Sequence, residues 1–255
     1  MSRGKFRCGN CDYQFSLTAG TIFHDSKKSI LIWFRAIWHV TEQKQGISAL
    51  GLQKALGLGS YRTAWALLHK LRRAMVRPDR EQISGEIEID EIFIGGPRPG
   101  KRGRGAIGKE LVLIMAQKNG KRIGRIRLQH IADASAKVLI PTIGKFIKHG
   151  STICTDGWGG YSDPVLKRVG YTHLVVRSVG DVGENLLPLA NLVASLLKRW
   201  LLGTHQGGIQ PSHLPYYLDE FTFRFNRRTS GSRGMLFYRL LQNALVVKPV
   251  KAAEL

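Results

Sequence analysis

The spacing of hydrophobic residues changes along the chain, and each change marks a different kind of element. Between residues 27 and 42, Ile30, Trp33, Phe34, Ile37, Trp38 and Thr41 recur at helical spacing. The next stretch predicts a short helix over 47–56, a turn at Gly57-Leu58-Gly59, and a second helix with Ser60 as its N-cap. On that second helix Ala64, Trp65, Leu68, Leu71 and Met75 form the inward stripe, and Arg62, Thr63 and Lys70 lie off it. From Gly85 the period drops to two, so that in Glu86-Ile87-Glu88-Ile89-Asp90 the acids share one face of a strand and the isoleucines the other. Strands are predicted over 111–116 and 122–130, joined by a turn at Asn119-Gly120. A helix over 135–148, a strand over 151–155 that delivers Asp156, a short helix over 160–169 and a strand over 172–177 follow. Pro188 then opens a long helix reaching Leu202, and residues 211–247 read as helical again. The order β-β-β-α-β-α-β-α predicts an α/β fold, a mixed sheet with helices on it.

Two short helices around a glycine turn match a helix-turn-helix, whose second helix enters the DNA major groove. The same pattern is also met in plain helical hairpins. Charge favours DNA. The 255 residues carry 39 Lys and Arg against 18 Asp and Glu, a formal net charge of +21. The excess is +10 over residues 1–80, +5 over 81–185 and +6 over 186–255. A charge spread in this way calls for a polyanionic partner, most simply nucleic acid. The apolar share, 43%, is that of a packed protein, which excludes disorder and collagen-like repeats. No apolar run approaches the ~18 residues of a membrane span, and the N-terminus has no apolar signal segment. The expectation is a cytoplasmic, nucleoid-associated protein with no membrane partner.

The least basic third holds the candidate chemistry. Side-by-side placement of the first and fourth strands would bring Asp90 and Asp156 together across 66 residues of sequence. Paired carboxylates of this kind hold divalent ions that clamp the oxygens of a phosphoryl displacement. Asp156-Gly157 also fits an ordinary turn. Asp90, on an isoleucine-rich strand, is costly unless a cation sits beside it. Cys8 and Cys11 form a CxxC, half of a zinc site, with His24 the only further ligand in reach. A redox pair is the alternative, without a surrounding βαβ unit to support it. Lys101, Arg102 and Arg104 in a glycine-rich stretch, and Arg227 and Arg228 near the end, are candidate phosphate contacts. Tyr217, Phe221 and Phe225 predict a helical stripe, which leaves Asp219 and Glu220 facing solvent or paired with arginines.

The stretches QFSLTAGTIFH (14–24), EIDEIFIGG (88–96), TDGWGGY (155–161), ASLLKRWLLGTHQG (194–207) and HLPYYLDEFTFRFNRR (213–228) occur in one order along the chain. Together they resemble a bacterial insertion-sequence transposase of the DDE superfamily, closest to the ISXO-type group with zinc ribbon, helix-turn-helix and RNase H-like core. The resemblance implies four parts: a partial zinc ribbon over 1–25, a helix-turn-helix region over 26–80, an RNase H-like catalytic core over 84–205 and a basic helical part over 206–255. It implies a Mg²⁺- or Mn²⁺-dependent enzyme that cleaves and joins DNA at terminal inverted repeats, with a homo-oligomer at synapsis. Asp90 and Asp156 match the family's first two acids. The family's third acid and its following basic residue fall on Asn191 and Lys198, so the pattern departs to Asp-Asp-Asn-Lys. An amide oxygen ligates Mg²⁺ but is neutral and is no general base. Glu184, seven residues before Asn191, and Glu88, on the strand face of Asp90, are acids that would compensate. The resemblance also implies that the missing zinc ligands precede Met1, so the zinc site is expected to be incomplete. Two alternatives stand beside the transposase: a catalytically inactive DNA-binding relic, and a nuclease or resolvase on the same fold.

Overall fold

A computed structural model describes residues 5–77, 79–95, 108–177, 185–206, 209–251 and 255. The chain forms two compact units, one from Met1–Pro78 with Thr229–Leu255 and the other from Asp79–Arg228. Each is described on its own.

The first unit begins with a small hairpin, β1 (Lys5–Arg7) and β2 (Gln14–Ser16), antiparallel across the Cys8–Cys11 turn. Three helices follow: α1 (Ile30–Glu42), α2 (Ala49–Leu56) and α3 (Tyr61–Met75). The Ser29 and Ser48 side chains cap α1 and α2, each accepting a backbone N–H three residues on. Gly57 ends α2 at φ +61, the left-handed conformation that only glycine adopts cheaply, and this turns the chain into α3. Ser60 occupies the N-cap position of α3 without making a side-chain bond there. The buried side of α3 holds Ala64, Leu68, Leu71 and Met75 as the pattern predicts. It also holds His69 and Arg72, joined at 3.1 Å, which the apolar pattern does not reveal.

The second unit is built on one five-stranded sheet. Its strands are β3 (Glu86–Ile94), β4 (Glu110–Asn119), β5 (Arg122–Ile131), β6 (Thr152–Thr155) and β7 (Thr172–Val175), in the spatial order β5-β4-β3-β6-β7. The first three are antiparallel, while β6 and β7 run parallel to β3. The helices between them are α4 (Ala136–Phe146), α5 (Asp163–Arg168), α6 (Pro188–His205) and α7 (Leu214–Phe225). A last helix, α8 (Arg233–Val246), belongs to the first unit. The second unit is the mixed α/β arrangement expected of an RNase H-like core.

The sheet is buried on both sides, which explains the unbroken apolar run Leu111–Ala116 on β4. On one face Leu139, Ile143 and Phe146 of α4 and Leu166 of α5 pack on Ile87, Ile89, Leu113 and Ile153. On the other, Val193 and Leu197 of α6 and Tyr217, Phe221 and Phe225 of α7 pack on Val112, Ile114, Leu128 and Cys154. Each such side chain stabilises the fold by about 1.5–3 kcal/mol. Residues 206–228, grouped by sequence with the C-terminal part, therefore include α7, one wall of the sheet's core. Only the chain from Thr229 onward returns to the N-terminal helices. Glu220 is fully buried and pairs with Arg224, whose Nε and Nη2 both donate to Glu220 Oε1 at 2.9 and 2.6 Å. The solvent-facing option for Glu220 is thus corrected to the arginine-paired one. Burial pushes the Asp219 carboxyl up to about 7, against the pull of Arg80 and Lys145.

Candidate active site

The alternation of β3 decides which side chains can meet. Glu86, Glu88 and Asp90 point to the α6 side, because Ile87 and Ile89 fill the core on the α4 side. β3 and β6 are parallel neighbours with Glu88 opposite Cys154. Asp90 lies two residues past that pair on β3, and Asp156 follows directly on the end of β6, in the turn that leaves the strand. Each carboxylate is tied back to its own backbone. Asp90 Oδ1 accepts from the Glu91 N–H at 2.8 Å, and Asp156 Oδ1 from the Trp158 N–H at 3.0 Å. Tyr161 reports the field they make. Its phenol is pushed well up by burial first, and then by the charges of Glu91, Asp90 and Asp156. Negative charge from Asp90, at the middle of β3, and from Asp156, just after β6, thus acts on one buried phenol, and such charge favours a cation nearby.

The third element is α6. Its first turn contains no acid, and Leu187 at the cap makes no side-chain bond. Pro188 has no N–H, and the Asn191 N–H reaches the Leu187 carbonyl at 2.9 Å. The two donors left over, Leu189 and Ala190, both bond Glu88 Oε2 at 2.7 and 3.0 Å. A carboxylate from the sheet thus caps the helix, and β3 carries both that cap and Asp90. Desolvation raises the Glu88 pKa, while the two backbone N–H groups and Lys118 oppose the rise. Glu88, considered by sequence as a spare metal ligand, is engaged in holding α6. Asn191 lies half-buried in the same first turn, its Nδ2 donating to Asn185 Oδ1 at 2.6 Å. Lys198 is exposed about two turns further along α6.

Of the candidate DNA contacts, Arg62 is exposed and Thr63 half-buried at the start of α3. Lys70 is half-buried on the same helix, its pKa lowered by desolvation against the pull of Asp25. Arg227 stacks on Phe223 with its guanidinium carbon 4.3 Å from the ring centre. Arg228 stacks on Phe225 at 4.1 Å and donates to the carbonyls of Phe225, Gly124 and Ile123, clipping the end of α7 to β5. Lys101, Arg102, Arg104 and Glu184 lie outside the described residues. Cys8 and Cys11 share one tight turn. N–H groups of Asn10 and Cys11, together with the Cys11 thiol, lower the Cys8 pKa, which favours the thiolate a metal binds. Cys154 is a core thiol, pushed up to about 11 by burial and the nearby Glu86 and Glu88 charges. Among the described residues no three or more His, Cys, Asp or Glu side chains gather into a metal cluster. None of the described helices is long and apolar enough to cross a membrane.

The sequence model of the ISXO2-like transposase domain matches residues 82–226, more than half of the chain. The chain belongs to the ISXO2-like transposase family. The match covers Asp90, Asp156, Asn191 and Lys198 together with the whole five-stranded sheet, so the family's domain is the second unit apart from its first three residues and its last two. Enzymes of DDE transposase families generally use divalent metals. No curated protein matches the chain. Among solved structures, a chain of a simian T-cell lymphotropic virus intasome, determined in complex with PP2A regulatory subunit B56 gamma, is similar at 14% identity and a TM-score of 0.34. The match covers 65% of this chain and 63% of that one.

Proposed function

We propose that this ISXO2-like transposase is a metal-dependent phosphodiester-cleaving and strand-joining enzyme acting at the ends of an insertion sequence. The observation that carries the reading is the parallel pairing of β3 with β6, Glu88 opposite Cys154, with Asp90 two residues further along β3 and Asp156 just past the end of β6. The donor set suits Mg²⁺ or Mn²⁺: hard carboxylate oxygens, few in number, with room for water to complete the shell. Asp90 and Asp156 would hold the cation, with the Asn191 amide oxygen as a neutral third donor. Bound there, the metal supplies electrophilic assistance to phosphodiester displacement. Lys198, an exposed point charge on α6, is assigned to a phosphate of the DNA. Arg62, Thr63 and Lys70 on α3 are assigned to the terminal repeat. Lys101, Arg102, Arg104, Arg227 and Arg228 are assigned to backbone contacts, with the Arg228 guanidinium also bonded to carbonyls inside the protein. Two copies of the chain would hold two DNA ends at synapsis. Cys8 and Cys11 remain half of a zinc site.

The test is cleavage of a terminal-repeat duplex with Mg²⁺. Asp90→Ala and Asp156→Ala are each expected to abolish cutting while end binding persists. Wild-type cutting by either variant would remove that carboxylate from the site. The neutral amide at Asn191 favours one second reading, a protein that binds element ends without cutting them. Absence of cleavage by the parent chain with both Mg²⁺ and Mn²⁺, alongside intact binding, would select it.

A further inference from the structure

Asp156 is bordered by a polar chain, buried at one end and open to solvent at the other, that the proposed reaction leaves unused. Thr155 Oγ1 lies 2.9 Å from His173 Nε2, and His173 Nδ1 lies 3.1 Å from Asp163 Oδ1. Lys167 Nζ sits 2.8 Å from Asp163 Oδ2. The Gly157 N–H reaches Thr155 Oγ1 at 3.2 Å, closing a bridge over Asp156. The donors can be ordered. The Asp163 pKa is lowered, first by Lys167 and also by His173, so Asp163 is an acceptor-only carboxylate. His173 Nδ1 then donates to Asp163, and Nε2 is the ring nitrogen that meets the Thr155 hydroxyl. Thr155 Oγ1 pairs with Nε2 and accepts from the Gly157 N–H. The hydrogen bonds therefore run without a break from Gly157 through Thr155 and His173 to Asp163.

Hydroxyl, imidazole and carboxylate in this order also describe an activated nucleophile. Burial argues against that use here, since Thr155 is 0% exposed and the His173 side chain only 1%. What the chain can act on is the turn it touches. Val176 donates to the Thr155 carbonyl at 2.9 Å, and Trp158 Nε1 donates to the Ala134 carbonyl at 2.9 Å, so the turn is held on both sides of Asp156. At its centre Gly157 has φ +79, and a Cβ there would meet Val175 Cγ1 at 2.5 Å.

We infer that Thr155, His173, Asp163 and Lys167 form a positioning chain that fixes the Asp156 carboxylate beside Asp90. The inference rests on the metal reading of those two carboxylates. Groups that orient a metal ligand from behind typically change metal affinity by about 10–100-fold when removed.

The experiment uses the full chain with Thr155→Val, which keeps the shape and removes the hydroxyl, and Thr155→Ser, which keeps the hydroxyl. Asp163→Ala, at a half-exposed position, tests the far end with little risk to folding. Two quantities are measured: hydrogen exchange of the Gly157 and Trp158 amides, and Mn²⁺ affinity by calorimetry. Thr155→Val is expected to lose at least about tenfold in protection at both amides and about tenfold in Mn²⁺ affinity. Thr155→Ser should restore both, and Asp163→Ala should shift both in the direction of Thr155→Val. A lower melting temperature in Thr155→Val with Trp158 protection and Mn²⁺ affinity unchanged would overturn the proposal, because a merely structural hydroxyl gives that result. If the parent binds no Mn²⁺, the metal reading fails, and amide exchange alone then decides whether the chain holds the turn.

Discussion

Replacing Glu88 by alanine removes the acceptor that two backbone donors at the start of α6 share. The Leu189 and Ala190 N–H groups bond the same carboxylate oxygen at 2.7 and 3.0 Å, and Ala190 is 0% exposed. A hydrogen bond to a charged group contributes about 1.5–3 kcal/mol, and a buried donor left unpaired costs about 1–3 kcal/mol. Two donors would give about 2–6 kcal/mol, from which relief of the carboxylate's desolvation must be subtracted. The expected net loss is about 2–4 kcal/mol. Glu88→Gln keeps an acceptor of the same shape and should stay within about 1 kcal/mol of wild type at pH 7. The pH dependence separates the two further. The folded-state pKa of Glu88 is raised above its ordinary 4.5, so the folded protein holds this proton more tightly. Its contribution is complete below the unfolded value and is lost as pH rises through the folded one. Glu88→Gln should lack this part of the pH profile. The assay is urea unfolding paired with hydrogen exchange over residues 186–192. A cost below about 0.5 kcal/mol for Glu88→Ala, with exchange there unchanged, would refute the capping argument.

Four further outcomes are expected. DNA affinity should fall steeply between 50 and 200 mM salt, because each phosphate contact releases counterions; a flat response in a filter-binding titration would remove the polyanion argument. Asn191→Leu should slow Mg²⁺-dependent cleavage at least about tenfold, while Asn191→Asp preserves or improves metal affinity; three-way equality among wild type and both variants would take Asn191 out of the site. Asp219→Asn should flatten the stability profile between its unfolded value near 3.8 and about 7, since a raised folded pKa makes this stability decline as pH climbs through that window; an unaltered profile in thermal melts would contradict the burial argument. Gly160→Ala should destabilise by about 1–3 kcal/mol, because its Cβ would collide with the Ala134 carbonyl, and a melting temperature at or above wild type would show that the turn can yield.

The sheet was readable because its pattern is binary. Glutamates and Asp90 alternate with isoleucines on β3, and an unbroken apolar run on β4 marks a strand covered on both faces. The adjacency of β3 and β6 followed from the order of strands and helices, which the alternating β and α pattern supplied. What stayed hidden depends on contacts between distant residues. Glu88 lies 101 positions from Leu189, and nothing local in α6 announces that its cap comes from a strand. Thr155 and His173 lie 18 apart on neighbouring strands and look like ordinary polar residues in apolar segments. Residues 206–228 looked like part of a basic tail because their arginines dominate the composition, yet Tyr217, Phe221 and Phe225 make them a wall of the core. Arg228 looked like a phosphate contact, and no residue near it in sequence shows that three carbonyls accept its guanidinium.

The first unit is assembled from both ends of the chain. Ile22, wholly buried, donates its backbone N–H to the Ala244 carbonyl on α8, and Phe237 of α8 lies against Phe34 and Trp38 of α1. During synthesis the N-terminal helices must therefore wait for the ribosome to make all of Asp79–Arg228 before their last helix arrives, roughly 10–30 s at ordinary elongation rates. A chain that stops between Arg228 and α8, at a premature stop codon or a frameshift there, would keep the whole five-stranded sheet but leave the N-terminal helices without a wall. Completeness of translation thereby becomes a condition for a finished N-terminal unit, and a broken reading frame would disable its own product at the stage of folding.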